Sequence, residues 1–240
     1  MDEILKIILY TLSAGACIPL GALIAHKEKI RPRWLETEFR HFIIAFGGGV
    51  LLAAVALVLV PEGVRHVGGS LLSAGAVLAG GICFFIIESV LGAQRRVKPQ
   101  FTAMLLDYVP ESLALGGVFA LGSPSAPLLA AFIGLQNLPE GFNAYRELRA
   151  LPRSSEKKIM WFMALLAPIG PAVALAGYVY LSENTVLVGL VMLFASGGIL
   201  YLIFQDIAPQ SQMRRHWAPP LGAVLGFCVG LLGNNLVLGA

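Results

Sequence analysis

Three carboxylates and one amide interrupt long apolar runs of this chain at a repeated spacing. One run reads Leu106-Asp107-Tyr108-Val109-Pro110-Glu111-Ser112, and another Leu135-Gln136-Asn137-Leu138-Pro139-Glu140-Gly141. Asp107 and Gln136, Pro110 and Pro139, and Glu111 and Glu140 are each 29 residues apart. One pattern therefore occurs twice: polar, any two residues, Pro, Glu, small. Residues at i and i+4 share a helix face, so Asp107 points with Glu111, and Gln136 with Glu140. Each proline lacks an N–H and frees the carbonyl four residues before it, here Leu106 and Leu135. Side-chain and backbone oxygens gathered on two helices suit a divalent cation. A lone Pro-Glu pair reads as a kink with a satisfied carboxylate. Two aligned copies, with three carboxylates among four polar positions, read as a site. No Arg or Lys shares these runs, which disfavours an anionic substrate.

The elements that must position these residues are membrane helices. The chain has 240 residues, 57% of them hydrophobic and only 13% charged, with mean hydropathy +0.78. Soluble domains carry about 25% charged residues, so this chain is too apolar for a soluble surface. Disorder, a collagen repeat and a disulfide scaffold are excluded on the same grounds. A bilayer-spanning helix needs roughly 20 mostly apolar residues. Eight stretches qualify: 4–25, 42–61, 70–92, 101–121, 127–145, 160–181, 186–208 and 218–239. They are too long, and too rich in Gly and Pro, for the alternating strands of a membrane barrel. The connections are short, so the chain reads as one polytopic domain over 1–240. The first stretch reads as a span rather than a cleaved signal, because Asp2 and Glu3 outweigh Lys6 where such signals are positive. Cys17, Cys83 and Cys228 lie in apolar runs and read as small core residues.

Orientation follows from Lys and Arg, which collect on the cytoplasmic side. All of the 17 except Lys6 and Arg65 fall in the connections after spans 1, 3, 5 and 7. Those connections face the cytoplasm, and both termini face out. A second repeat relates spans 2 and 7: Phe46, Gly49, Leu52 and Pro61 align with Phe194, Gly197, Leu200 and Pro209. The two spans run in opposite directions, and inverted repeats around a midplane site mark secondary transporters. Gly47, Gly48, Gly49, Gly197 and Gly198 read as close-packing positions. His66 and Glu62, on the outer side, could collect metal weakly.

At Asp107–Ser112 and Gln136–Gly141 the chain resembles the ZIP (Zrt/Irt-like) family of divalent metal transporters. The resemblance extends to the eight spans, the outer termini and the adjacent Pro-Glu helices as spans 4 and 5. It implies a metal site between those helices made by Asp107, Glu111, Gln136 and Glu140. Gln205 and Asp206, before Pro209, resemble the family's polar pair on the cytoplasmic exit route, which Glu88 could join. The family comparison also implies spans 1, 4, 5 and 6 as a mobile bundle in an elevator motion. Spans 2, 3, 7 and 8 would form a scaffold with a homodimer interface. This chain departs from the family pattern. Asp107 stands where the family usually has His, Tyr108 where it has Asn, and Gly170-Pro171 where many members have Glu-Pro. Asn137 remains of the adjacent second site. One transported-metal position is therefore expected rather than two. The connection Gln94–Gln100 has no His, so a metal-sensing loop is not expected.

The expected function is movement of a divalent transition metal into the cytoplasm. Zinc stands first; the carboxylate-rich donors also suit iron, manganese or cadmium. The metal is cargo, and no cofactor or nucleic acid is implied. Metal binding to acidic groups should displace protons. The alternatives are a non-transporting metal-binding subunit or sensor, and an intramembrane hydrolase. The hydrolase lacks a buried His for a metal motif or a base. Small size and the absent sensing loop point to a prokaryotic plasma (inner) membrane.

Overall fold

The computed structural model describes residues 2–27, 33–95, 99–152, 154–212 and 218–239. Lys29, Arg31, Arg96, Lys98, Arg153, Arg214 and Arg215, on which much of the expected orientation rests, lie outside them. Among the described residues the chain is all-helical, with no strand. The helices are α1 (Glu3–Lys27), α2 (Arg33–Ala54), α3 (Val60–Val67), α4 (Ser70–Arg95), α5 (Pro99–Ala120) and α6 (Ala126–Ala150). They continue as α7 (Glu156–Leu166), α8 (Ile169–Leu181), α9 (Thr185–Leu202), α10 (Ala208–Ser211) and α11 (Leu221–Leu238).

Each of the eight apolar stretches falls on helix. Five segments are long and apolar enough to cross a membrane: Glu3–Lys27, Glu38–Val67, Leu71–Val90, Glu156–Leu181 and Thr185–Ser211. Leu221–Val237 is a shorter apolar helix. The two helices with the Pro-Glu segments are not among the five, since Asp107, Glu111, Gln136, Asn137, Glu140 and Asn143 all lie on them. Large apolar side chains cover the outside, among them Leu71, Phe85, Trp161, Tyr180, Phe204 and Leu236. Such a surface fits hydrocarbon and not water, as in an all-α membrane protein.

The long helices pack in four pairs: α1 with α6, α2 with α11, α4 with α9, and α5 with α8. Each pair crosses at two glycines that face one another. Gly21 meets the carbonyl of Leu138 and Gly141 that of Ile18; Gly49 meets Ala223 and Gly226 meets Phe46. Gly80 meets Phe194 and Gly197 meets Val77; Gly116 meets Ala174 and Gly177 meets Leu113. In every pair the carbonyl belongs to the residue three before the opposing glycine. A Cβ at any of these positions would collide with backbone. Small residues at crossings let helices approach closely where lipid gives no hydrophobic drive.

Pro110 and Pro139 sit inside continuous helices, so the site helices bend at most and do not break. The irregularities lie elsewhere. Two π-helical turns, Val55–Leu59 and Ile203–Ile207, precede α3 and α10. They align with each other in the register that aligns Phe46 with Phe194 and Pro61 with Pro209. The second repeat is thus matched in backbone geometry. The stretch 160–181 is split between Leu166 and Ile169, beside Pro168 and Pro171. One cysteine departs from expectation: Cys228 is exposed on α11, whereas Cys17 and Cys83 are partly buried. Its apolar run faces outward, where burial against lipid replaces burial against protein.

Candidate metal site between the Pro-Glu helices

The turn at 121–125 joins α5 and α6 as an antiparallel hairpin. Antiparallel pairing sets Glu111 opposite Gln136 and Asp107 opposite Glu140. The Gln136 amide donates to the Glu111 carboxylate. Both are buried, at 0% and 2% exposure. Asp107, 2% exposed, lies close enough to Glu140 and Glu111 to feel their charges. Glu140 is partly buried.

Asp107 and Glu140 open on a cavity of about 30 Å³, walled also by Gly47 and Gly48 of α2, Met104, Pro139, Asn143 and Asp206. That volume holds about one water or one small ion. Its lining comes from the middle of α2, the first half of α5, the second half of α6, and the end of α9 with the turn after it.

Five buried side-chain oxygens around the hairpin have no donor: Asp107 Oδ1, Gln136 Oε1, Asn137 Oδ1, Glu140 Oε2 and Asn143 Oδ1. A buried polar atom without a partner costs about 1–3 kcal/mol, more when charged. All five are acceptors, which a cation or donated O–H groups satisfy and a further acceptor does not. Among the described residues, no three His, Cys, Asp or Glu side chains already stand close enough to hold a metal. The Gln136–Glu111 contact closes part of the donor set on itself.

Tyr108 and Asn137 tie the surrounding helices together. Pro171 lacks an N–H, so the carbonyl of Ala167 loses its helical partner. The Tyr108 hydroxyl donates to that carbonyl (3.2 Å) and accepts from the Gly170 N–H (3.1 Å). A Cβ at Gly170 or Gly15 would collide with the same hydroxyl. The Asn137 amide donates to the Ala14 carbonyl (3.0 Å). These bonds link α5 to the α7–α8 break and α6 to α1.

The other candidates separate. Asp206 is buried and lines the cavity. Gln205 is exposed and faces an outer groove between α4 and α9 with Phe85, Tyr201 and Phe204. The pair therefore points in two directions. Glu88 sits on α4, which packs on α9 and not on the site helices. At the turn end of the hairpin, Glu62 Oε1 accepts from Ser123 (2.6 Å) and Ser125 (3.0 Å) between α5 and α6. Glu62 also pairs with Arg65 and lies 3.7 Å from His66 Nε2, so its carboxylate is engaged in structure. Asn143 was not among the residues singled out from the sequence. Its signal was the helical stripe Gln136, Glu140, Asn143; the 29-residue repeat hid it, because Ala114 occupies the matching position on α5.

No family model matches the chain. The chain is similar to the zinc transporter GufA of Myxococcus xanthus, with 35% identity over 111 residues. The match covers 45% of this chain and 43% of that protein, so it spans less than half the length of this curated relative.

Proposed function

We infer that the protein is a divergent ZIP-like carrier that moves a divalent transition metal into the cytoplasm. The observation that carries this reading is the group of five unpartnered buried oxygens on the Pro-Glu hairpin. Asp107, Glu111, Gln136 and Glu140 are the donors of the transported ion in this reading. One ion is held at a time, since Tyr108 fills the space beside Gly170 where further donors would stand. Zinc is the first candidate, supported by the name of the similar Myxococcus protein; iron, manganese and cadmium follow from the oxygen-rich donor set. That relative is named a transporter, which supports a carrier over a hydrolase.

The chain in this reading crosses the plasma membrane of a prokaryote eight times, with both termini outside. Spans 1, 4, 5 and 6 move against spans 2, 3, 7 and 8. The α1–α6 and α5–α8 pairing, with the Tyr108 and Asn137 bonds, supports the first group as a unit. The α2–α11 and α4–α9 pairing supports the second. A second copy on the scaffold face would complete a homodimer. With the sides assigned by the basic residues, the cavity and the Glu62–serine contacts at opposite ends support an inward-facing state in this reading.

The deciding experiment is zinc entry into sealed vesicles containing the purified protein, followed by an internal fluorescent indicator. Saturable entry by the wild type, abolished in Glu111→Gln, is expected. Binding without entry would assign the chain to the sensor or subunit reading instead.

A further inference from the structure

The donors read from the sequence do not lie at one level. Glu111 and Gln136 are bonded to each other and are absent from the cavity wall. Asp107 and Glu140 are on that wall, and Asn143, one helical turn further along α6, is on it with them. Asn143 is 1% exposed, and its Oδ1 accepts no hydrogen bond. Asp107 Oδ1 and Glu140 Oε2 are likewise without donors. Three residues that each carry an unpartnered oxygen therefore line one cavity of about 30 Å³. A buried amide that turned its oxygen here for structural reasons alone would meet an N–H or hydroxyl. It shares the cavity wall with two carboxylates instead.

We propose that Asn143 is a cargo-binding residue, giving its side-chain oxygen to the divalent cation at an inner position shared with Asp107 and Glu140. The proposal rests on the carrier reading. Asp107 and Glu140 balance one divalent cation, Asp206 on the same wall has an interaction of its own, and a neutral amide oxygen adds a ligand without adding charge. Hard oxygen donors in this number accept a divalent cation that keeps some of its waters. The ion moves inward along one helical stripe: Gln136 is its amide donor at the outer level and Asn143 at the inner one, with Glu140 between them on the same face. A site of this kind binds firmly enough to receive the ion and weakly enough to release it to the cytoplasm.

The test is calorimetric titration of the purified full chain with zinc and with manganese, on wild type, Asn143→Ala, Asn143→Asp, Asn143→His and Asp107→Asn. Unfolding curves in the same detergent identify variants that fail to fold. Removal of a metal-site donor is expected to weaken zinc binding about 10–100-fold in Asn143→Ala, and Asn143→Asp should restore it. Asn143→His should raise the preference for zinc over manganese, because imidazole suits zinc better than an amide oxygen does. A change of metal preference does not arise from a merely structural asparagine. Wild-type affinity and metal preference in Asn143→Ala and Asn143→His, with binding lost in Asp107→Asn, would overturn the proposal and leave the carrier reading standing. A wild type that binds neither metal would overturn both.

Discussion

Asp107, Glu111 and Glu140 are acidic groups inside an apolar fold, and a positive partner would offset the cost of burying their charge. Carboxylates must be ionised to ligate, so metal and protons compete for them. Metal affinity should rise from mildly acidic to mildly alkaline pH and fall as pH is lowered, with protons released to an unbuffered solution during titration. Affinity that stays flat across that range would contradict metal ligation by these groups. Tyr108 plays a different part. Its hydroxyl satisfies the carbonyl freed by Pro171 and the N–H of Gly170. Tyr108→Phe strands both backbone groups and should lower stability by about 1–3 kcal/mol, read by denaturant unfolding in micelles. Gly170→Ala should be poorly tolerated alone, because a Cβ there meets the Tyr108 hydroxyl. It should be tolerated in a Tyr108→Asn background, a non-additivity expected only of residues in contact. In that background Gly170→Glu should bring a second bound metal.

At the scale of elements, the Pro-Glu hairpin was legible because a duplication left the same spacing twice and the i, i+4 geometry did the rest. Asn143 was not legible that way, because it belongs to the helical stripe and has no counterpart in the repeat. The backbone irregularities were not legible either. Pro110 and Pro139 free carbonyls, but both helices run through. The backbone departs instead in π turns before Pro61 and Pro209 and at Pro168. An inserted residue in a helix turns everything after it by about 100°, the angle set by 3.6 residues per turn. The first π turn lies just before Glu62, which bonds Ser123 and Ser125; Asp206, buried, and Gln205, exposed, lie within the second. Deleting Ala56 would convert the first π turn into α-helix and withdraw Glu62 from the serines. Faster hydrogen exchange across 121–126 is the expected result, and unchanged exchange would show that the turn is held by other contacts.

For the whole molecule, composition and hydropathy carried the fold class, because a chain this apolar has few ways to satisfy its backbone except helices in a membrane. How the helices pair was not legible. Glycine is abundant throughout, and nothing in the sequence says which glycine faces which. The four crossings show the rule: each glycine meets the carbonyl three residues before its opposite number. Gly49→Leu or Gly197→Leu should therefore separate a helix pair and destabilise the fold by more than 2 kcal/mol, as overpacking of a tight contact does. The same change at Gly75, where nothing lies near, should be close to neutral. The crossings join helices within each proposed group, and the cavity lies between the two groups.

The claim on which everything else depends is that a divalent cation binds among the unpartnered oxygens of the Pro-Glu hairpin. Anomalous scattering at the zinc absorption edge, from crystals grown with zinc, locates such an ion directly. We predict one strong peak between α5 and α6, within ligand distance of Asp107 and Glu140, and its loss in crystals of Asp107→Asn. Peaks confined to the outer end near Glu62 and His66, or no peak on the hairpin at saturating zinc, would contradict the claim.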